Sequence, residues 1–287
     1  MQKSRVNVSL VIPAYNEESH LAACLEAVAK QTVMPFEVIV VDNNSTDTTA
    51  AIAARFPFVR VVRETRRGVM YARDAGFDAA RGDIIGRIDV DTHVLPDWVA
   101  QVQRVFADAS IDAASGSIGF YDVPFRRLFG KLDSLFRHYL AYTLARRGEL
   151  FLYGGNMAIT REAWQAVRSQ VCHDRDFHED IDLAAHFAHS DFRLAFDPGM
   201  RVNVSARRVD SAWGSYYPYV VDNSRTYAAH GLRGRMYMYP VEILVMIFYP
   251  LLRLLYRSFD PDTRKFSLKR MLNPPYHARV SPVGETV

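Results

Sequence analysis

The sequence predicts an α/β fold whose mostly parallel sheet is flanked by helices. Four short apolar runs rich in β-branched residues are typical of strands and lie at residues 6–13, 37–42, 59–63 and 84–89. The segments between them carry Ala, Leu and Val at the i, i+3 and i+4 positions of helices that cover a sheet, over residues 20–31, 46–56 and 69–81. This alternation implies crossover connections and a parallel sheet that binds ligands at the carboxyl ends of its strands.

The composition is that of a globular protein. Of the 287 residues, 49% are hydrophobic and 23% are charged, which allows one large core and excludes a disordered chain. Cys24 and Cys172 lie far apart without the spacing of metal ligands, so we expect a reducing cytoplasm. No apolar stretch of signal-peptide length is seen near residue 1, because Asn16, Glu17 and Glu18 end the first apolar run.

The regular alternation weakens after residue 110. The patterns that follow are a strand at 113–120, an amphipathic segment at 125–147, a loop at 150–160, and a helix from His178 followed by a strand at 193–197. We expect this half to receive the second substrate.

The C-terminal segment is basic and aromatic. From Arg201 onward it holds 13 Lys and Arg against 6 Asp and Glu, which suits an anionic membrane surface or acidic substrate but also fits ordinary solvated arginines. The apolar run at 241–252 contains Glu242 and Pro250 and is too short to span a membrane. Two interpretations stay open: a helix that lies in the membrane interface, or a buried amphipathic helix that closes the core.

The first predicted strand ends in the turn PAYNEES, which contains no glycine. A pyrophosphate cannot approach this backbone as it does in a G-x-G-x-x-G turn, which disfavours a hydride-transfer enzyme. The turn instead offers Pro13 to set the chain, Tyr15 as a flat face for a base, and Asn16 and Glu17 as polar groups. A helix capped by Asn16 would explain the turn without a ligand.

The second strand ends at Asp42, whose carboxylate would point out of the carboxyl edge of the sheet. There it could accept a hydrogen bond from a base or a ribose hydroxyl. Ser45 and Asp47, in the polar turn that follows, are explained by capping of the next helix.

The fourth strand leads into Asp89 and Asp91. Two carboxylates separated by one residue of extended chain project to the same side, close enough to share one divalent cation. Mg²⁺ or Mn²⁺ fits such oxygen ligands and would stabilise a departing diphosphate. A surface loop with two acids is the alternative, but the position after two other ligand-like turns favours a metal site.

Together, the segments VIPAYNEE, VVDNNSTD, GVMYARDAGFDAARGD and DVD resemble the family 2 glycosyltransferases of the GT-A fold, in that family's order and approximate spacing. The resemblance covers residues 6–205 and implies a Rossmann-like GT-A domain. It implies that Arg73 lies near the base or phosphates of the donor and that Asp91 is the direct metal ligand. The further donor-binding residues that it implies are Pro13, Tyr15, Glu17, Asp42 and Asp89. The chain departs from many relatives at Asn43, where they have Asp, and at Asp74, where they have Asn.

The resemblance also assigns the general base to the acidic helix start at residues 178–182. Inversion requires one carboxylate that deprotonates the acceptor as it attacks the anomeric carbon. We expect Asp180 in this role and Glu179 as its rival, because neighbours on a helix diverge by about 100° and only one can face the cleft. Acids that merely complement the helix dipole are the alternative.

Two further segments take roles from the resemblance. The loop of Gly154, Gly155 and Asn156 would lie beside the acceptor, although a tight turn with positive φ would explain the glycines equally well. Arg207 and Arg208 would hold the leaving diphosphate, with surface arginines as the alternative. The histidines show no shared metal geometry and receive no role; they include His138, His186, His189 and His230.

These observations predict a GT-A domain at residues 1–210 and a helical extension at 211–287 that associates with a membrane. Within the domain, residues 1–110 would bind the nucleotide-sugar and 111–210 the acceptor. The extension would keep a cytoplasmic protein peripheral to the inner face of the cell membrane.

The predicted activity is the inverting transfer of a single sugar from a UDP- or GDP-linked donor, with Mg²⁺ or Mn²⁺ as cofactor. The sequence lacks the Gln-x-x-Arg-Trp segment of processive synthases, which favours one transfer per binding event. The acceptor would be a hydroxyl or phosphate, lipid-linked or on an envelope glycan, and no nucleic acid is expected as a partner. An inactive nucleotide-binding scaffold is the alternative, and the presence of all the candidate carboxylates argues against it.

Overall fold

The computed structural model describes residues 6–145, 151–173 and 177–272. Its main sheet consists of β1 (Val8–Ala14), β2 (Glu37–Asp42), β3 (Val59–Arg63), β4 (Ile84–Arg87), β5 (Thr92–Val94), β6 (Ala113–Phe120), β7 (Met157–Thr160) and β8 (Leu194–Val204). These eight strands have the order β3-β2-β1-β4-β7-β6-β8-β5. The first four pair in parallel, as do β6 and β8, whereas β7 is antiparallel to β4 and β6, and β5 to β8.

The predicted α/β fold is confirmed, and the sheet is mixed. Parallel pairing holds where strand and helix alternate in the sequence, in the first half of the chain. The antiparallel strand β7 forms the end of the segment that was predicted as a loop at 150–160. A second, two-stranded sheet pairs β9 (Phe259–Asp260) with β10 (Lys265–Phe266).

Helices cover both faces of the sheet. They are α1 (Leu21–Ala29), α2 (Thr49–Ala53), α3 (Val69–Ala79), α4 (Trp98–Val105), α5 (Arg126–Ala145), α6 (Arg161–Val167), α7 (Glu179–His189), α8 (Trp213–Ala229), α9 (Arg235–Ser258) and α10 (Leu268–Leu272). A short 3-10 helix lies at Arg207–Asp210. The helices predicted at 20–31, 46–56 and 69–81 are confirmed, although α2 is only five residues long.

The core divides into two layers, because successive side chains of a strand point to opposite faces. On β1, Leu10 and Ile12 pack with α1 and α4 on one face, whereas Val11 packs with α3, α6 and α7 on the other. Both faces of the central strands are therefore buried, and polar groups from the strand ends gather at the carboxyl edge of the sheet.

The helix α9 presents its apolar residues outward. Its buried residues are Glu242 and Tyr249, and the Glu242 carboxylate accepts hydrogen bonds of 2.9 Å from both the N–H and the hydroxyl of Ser224 in α8. Its exposed apolar residues are Met236, Tyr239, Ile243, Leu244, Ile247, Phe248, Leu251 and Leu254. The interpretation of this segment as a buried helix that closes the core is therefore wrong.

The apolar run at 241–252 lies within the longer helix α9, so the length of the run alone underestimated the length of the helix. By length and composition, the 24-residue α9 is sufficient to cross a membrane, with a mean hydropathy of 1.6 and only 17% of the apolar window buried. Two prolines, Pro240 and Pro250, lie inside the helix without ending it.

Gly76→Ala should lower the free energy of unfolding by about 1–3 kcal/mol, because overpacking a filled core forces side chains and backbone to shift. A Cβ at residue 76 would lie 2.3 Å from Val11 Cγ1 and 2.9 Å from Val41 Cγ2. The control, Gly214→Ala, adds a Cβ to α8 with nothing within 4 Å and should leave stability unchanged or raised by up to about 1 kcal/mol. Denaturant unfolding followed by circular dichroism measures both; equal changes would contradict the close packing of α3 on the sheet.

Candidate active site

A cleft opens at the carboxyl edge of the sheet, where β1, β2 and β4 end. The residues that line it are Pro13, Ala14, Tyr15, Glu17, Asn43, Val69, Ala72, Asp89, Val90, Asp91 and Arg207. The structure thus brings together six of the predicted donor and metal residues, from the ends of β1 and β4 and from a segment more than a hundred residues later.

The turns after β1 and β2 are joined to each other. The Asn16 amide oxygen accepts a 2.8 Å hydrogen bond from the Thr46 N–H, and the Glu17 N–H donates to Thr49 Oγ1 at 2.8 Å. The alternative role of Asn16 as a helix cap is wrong, because α1 begins only at Leu21 and the side chain is engaged with the second turn. These bonds fix the wall of the cleft that carries Tyr15 and Glu17.

Asp42 lies beneath the cleft rather than in its lining. It is buried, and its Oδ1 accepts a hydrogen bond of 3.1 Å from the Ser45 N–H, while its Oδ2 lies 3.9 Å from Arg63 Nε. Its contacts order the turn after β2, and the predicted contact with the nucleotide stays a prediction.

Arg207 is buried among the acids of the cleft. Its Nε donates to Asp91 Oδ2 at 2.7 Å and its Nη2 to Glu17 Oε1 at 2.6 Å. The alternative of a surface arginine is therefore wrong for this residue. Arg208 behaves differently: its guanidinium lies 4.0 Å from the centre of the Tyr219 ring.

The segment that carries Arg207 is held by Asp122, a residue that the sequence did not single out. The buried Asp122 carboxylate accepts hydrogen bonds from the Ser205 hydroxyl, from the Ala206 N–H at 2.8 Å and from the Tyr256 hydroxyl of α9 at 3.1 Å. Because these partners are far apart in sequence, only the folded structure reveals the site. The C-terminal helix thereby supports the cleft.

A second buried arginine, Arg87 at the end of β4, joins the cleft to the acidic helix α7. Its Nη2 donates to Asp89 Oδ1 at 3.0 Å, and its Nη1 lies 2.5 Å from Glu179 Oε1. Burial alone would raise the pKa of Glu179, but the charges of Arg87 and Arg73 outweigh it and hold that pKa well below its ordinary value. The pairing with Arg87 thus favours the charged form of Glu179.

Asp180 has the opposite environment. Burial and the neighbouring charge of Glu179 raise its pKa above the ordinary value of an aspartate. Its Oδ2 accepts a hydrogen bond of 2.8 Å from the Gly154 N–H, in the loop predicted to meet the acceptor. Two successive carboxylates on α7 therefore have pKa values shifted in opposite directions, which is a common feature of functional sites.

The glycines of this loop are explained by close approach and not by positive φ. Among the described glycines, positive φ occurs only at Gly68 and Gly231. A Cβ on Gly154 would lie 2.1 Å from Arg87 Nη1, and one on Gly155 would lie 2.8 Å from the Tyr153 ring. Gly154 therefore leaves room for the buried guanidinium.

The prediction that Asn156 contacts the acceptor is wrong, because its side chain is 0% exposed. Its Oδ1 accepts from Trp98 Nε1 at 2.8 Å, and its Nδ2 donates to the carbonyls of Ser117 at 3.1 Å and Met200 at 2.9 Å. Asn156 joins three core segments beneath the loop.

Comparison with known proteins decides the family. The protein-family model described as "Glycosyl transferase family 2" matches residues 9–168, which is more than half of the chain. The chain belongs to glycosyl transferase family 2. Named glycosyltransferases recur among its relatives and structural neighbours, and the chain shares the GT-A fold of those neighbours.

Three similar proteins illustrate the relationship. The glycosyltransferase AglE of Haloferax volcanii is 31% identical over 39% of this chain and 40% of its own length. The undecaprenyl-phosphate 4-deoxy-4-formamido-L-arabinose transferase of Pectobacterium carotovorum is 30% identical over 70% of this chain and 57% of its own length. The mannosyltransferase PcManGT of Pyrobaculum calidifontis, solved with GDP-Man and Mn²⁺, has a TM-score of 0.57 at 23% identity and covers 79% of this chain and 64% of its own. The chain thus spans less than two thirds of each.

The two departures from the family pattern have structural roles in this glycosyltransferase. The buried Asn43 amide donates to the carbonyls of Glu64 at 3.2 Å and Arg66 at 2.7 Å, while its Oδ1 accepts from the Gly68 N–H at 2.8 Å. A carboxylate has no proton to donate to two carbonyls, so this loop requires an amide. Gly68, with φ of 145°, sets the loop at the start of α3.

Asp74 pairs with Arg73, whose side chain is completely buried. The Arg73 Nη2 lies 2.8 Å from Asp74 Oδ1, its Nη1 donates to the carbonyl of Glu179 at 2.7 Å, and His173 contacts Asp74 Oδ2 at 2.7 Å. Arg73 thereby stabilises the first turn of α7 through the Glu179 carbonyl. Its predicted contact with the base or phosphates stays a prediction.

The interpretation of the cysteines and histidines also requires correction. Cys172, Asp182, His186 and His230 each place one potential metal-ligating atom within 4.8 Å of the others. The shared geometry was invisible in the sequence, because α7 and α8 bring residues together that lie up to 58 positions apart.

Asn43→Asp should lower the free energy of unfolding of this glycosyltransferase by about 1–3 kcal/mol, because the carboxylate would face two carbonyl oxygens without a donor. Asn44→Asp adds the same charge at the exposed neighbouring position and should change stability by no more than about 0.5 kcal/mol. Parallel urea denaturation of both variants provides the measurement. If the two variants were equally stable, the amide would not be what holds residues 64–68.

Proposed function

We propose that this glycosyltransferase transfers one sugar, with inversion at the anomeric carbon, from a UDP- or GDP-sugar to a hydroxyl or phosphate acceptor that is lipid-linked or part of an envelope glycan. The observation that carries the proposal is the geometry around Arg87, which joins a cleft lined by Glu17, Asp89 and Asp91 to the acidic helix α7, where Asp180 accepts a hydrogen bond from the Gly154 N–H. Relatives support the substrate classes: PcManGT was solved with GDP-Man, and the Pectobacterium transferase is named for undecaprenyl phosphate.

Asp180 acts as the general base. It accepts the proton of the acceptor hydroxyl while the acceptor oxygen bonds to the anomeric carbon and the bond from that carbon to the diphosphate breaks. Its raised pKa favours this proton transfer, since a base works best when its pKa is near the operating pH. Glu179 is unsuited to the role because its charge is committed to Arg87 at 2.5 Å.

The leaving diphosphate is stabilised on the opposite side of the sugar. Asp89 and Asp91 line the same cleft, and this set of carboxylate oxygens fits Mg²⁺ or Mn²⁺. Asp91 directs Oδ2 to Arg207, which leaves Oδ1 for an ion. When bound, the ion would neutralise charge that develops on the diphosphate. Arg207 lies in the lining beside these acids and would contribute a guanidinium to the same phosphates.

The C-terminal extension brings this chemistry to a lipid surface. Glu242 faces inward on α9 while apolar residues such as Ile247 and Leu251 face outward. The helix α5 adds a second exposed apolar row at three- and four-residue spacing, made of Leu128, Leu132, Leu135, Phe136, Tyr139 and Tyr142. Apolar helix faces flanked by arginines are suited to the membrane interface, which supports a peripheral location at the cytoplasmic face of the membrane.

Asp180→Asn should lower kcat by about 10²–10⁴-fold, the usual contribution of a general base, whereas Glu179→Gln should cost less. Steady-state assays with UDP- and GDP-sugars, Mn²⁺ and a lipid-linked saccharide acceptor that carries free hydroxyls measure both. Removal of the negative neighbour in Glu179→Gln also lowers the pKa of Asp180, since the Glu179 charge raises it. The acid limb of the kcat/KM profile, which marks protonation of the base as pH falls, should therefore move to lower pH.

If the Asp180→Asn variant kept the wild-type kcat, Asp180 would not be the general base. If Glu179→Gln lost all activity while Asp180→Asn stayed active, Glu179 would be the general base and Asp180 would not. Binding of nucleotide-sugars by the wild type without turnover on any acceptor would favour the scaffold instead.

Ile247→Glu combined with Leu251→Glu should weaken sedimentation with phosphatidylglycerol-containing vesicles by about 10-fold or more, because each apolar side chain removed from water contributes about 1.5–3 kcal/mol. The matched control, Met34→Glu with Phe36→Glu, changes two exposed apolar residues before β2 and should sediment as the wild type does. Point variants are preferable to deletion of residues 233–287, which would also remove Tyr256 from Asp122. Equal sedimentation of all three proteins would contradict binding through α9.

A further inference from the structure

A cluster of four potential metal ligands lies outside the sugar-transfer cleft, between α7 and α8. Asp182 and His186 stand one turn apart on α7, His230 follows the end of α8, and Cys172 belongs to the segment before α7. Their ligating atoms all lie within 4.8 Å of one another. No residue of the proposed donor or acceptor machinery is among them.

The cluster is about the size of a tetrahedral zinc site, although the 2.9 Å between Asp182 and His230 is the length of a hydrogen bond that bonds to an ion would replace. Zinc bonds of about 2.0–2.3 Å place neighbouring ligand atoms about 3.3–3.8 Å apart. Asp182 Oδ1 lies 2.9 Å from His230 Nε2 and 3.5 Å from His186 Nε2. The backbone N–H of Cys172 donates to Asp182 Oδ2 at 3.0 Å, which fixes the segment that carries the thiol and leaves Oδ1 toward the imidazoles.

A second observation points to an occupant. The Nε2 atom of His186 is buried and, across the residues that the structure describes, makes no hydrogen bond, although it lies 3.5 Å from Asp182 Oδ1. Buried polar atoms are almost always paired, so an orphaned imidazole nitrogen inside a cluster of ligands requires an explanation. A bond to a metal ion supplies one, since a neutral imidazole offers a lone pair at this nitrogen.

The donor set identifies the ion. A thiolate, two imidazoles and one carboxylate make four ligands of the kind that select Zn²⁺, whereas Mg²⁺ and Mn²⁺ prefer oxygen ligands such as those of Asp89 and Asp91. We propose that Cys172, Asp182, His186 and His230 form a structural zinc site. With four protein ligands, the site has no open coordination position for chemistry.

The site would fix the position of the acidic helix. Asp182 lies two residues after Asp180 on α7, so an ion at Asp182 and His186 ties the first turns of this helix to the end of α8 and to the segment at 171–173. His178 already donates its N–H to Thr226 Oγ1 at 3.0 Å. Zinc adds a further attachment between the start of α7 and the end of α8.

The experiment measures metal binding to the full chain and not sugar transfer. Metal-free protein is titrated with Zn²⁺ against a chromophoric chelator, and with Co²⁺ as a spectroscopic probe. We expect one Zn²⁺ per chain, with tetrahedral Co²⁺ bands and a thiolate-to-cobalt charge-transfer band. Loss of an outer-shell partner alone weakens metal sites about 10–100-fold, so His186→Ala should weaken Zn²⁺ binding by at least about 100-fold.

Matched variants separate this site from other sources of binding. Cys172→Ser should remove the charge-transfer band, while Cys24→Ala should keep it. His189→Ala changes a nearby exposed histidine of α7 and should bind Zn²⁺ as the wild type does. Asp91→Asn should also leave zinc binding unchanged, which distinguishes failure of this proposal from failure of the proposed activity.

Two outcomes would overturn the proposal. Wild-type protein that binds no Zn²⁺ in the chelator competition would mean that the cluster is a hydrogen-bonded Asp–His network only. Equal loss of binding in His186→Ala and His189→Ala would place the zinc elsewhere. Circular dichroism of each variant confirms that it is folded, and Cys172→Ser provides a conservative substitution should His186→Ala fail to fold.

Discussion

Like charges must be compensated wherever a fold gathers acids, and this protein gathers Glu17, Asp89, Asp91, Glu179 and Asp180 around one edge of its sheet. Two buried guanidinium groups supply most of the compensation that the structure shows: Arg207 between Glu17 and Asp91, and Arg87 between Asp89 and Glu179. Breaking such a buried pair leaves an uncompensated charge, which typically costs about 3–5 kcal/mol. The positions of these two arginines therefore constrain the structure around them.

Much of the surrounding structure follows from that constraint. Gly154 has no side chain because Arg87 occupies the space, and the same loop then directs its N–H to Asp180. The Arg207 segment needs its own anchor, which Asp122 provides with help from Tyr256 of α9. Tyr256, which lies away from the cleft, thus helps to hold Arg207 in the cleft lining. The arginines also decide which acid keeps its charge: Glu179 contacts Arg87 and stays ionised, whereas Asp180 is left with a raised pKa.

The sequence predicted features whose signal is local, and it could not predict contacts between distant residues. The strand-end turns were recognisable because Asp42, Asp89 and Asp91 each follow an apolar run directly, and the fold then brought most of them to one cleft. Arg87 lies in the apolar segment IIGRID, where a lone charge is a signal that could have been used, but its partner Glu179 is 92 positions away. Asn156 showed the reverse error: a polar residue in a glycine loop resembled a ligand contact, yet it bonds three core segments.

The C-terminal extension joins the proposed membrane surface to the cleft through a single helix. The outward face of α9 is apolar, while Tyr256 contacts Asp122, and Arg253 and Arg257 contact Asp210 at the end of the 3-10 helix that begins with Arg207. A helix that lay on lipid with its outer face would therefore hold the segment of Arg207 with its inner face. Under the proposed function, this arrangement would set the height of the cleft above the bilayer, which is what an enzyme needs when its lipid-linked acceptor is held at the membrane surface.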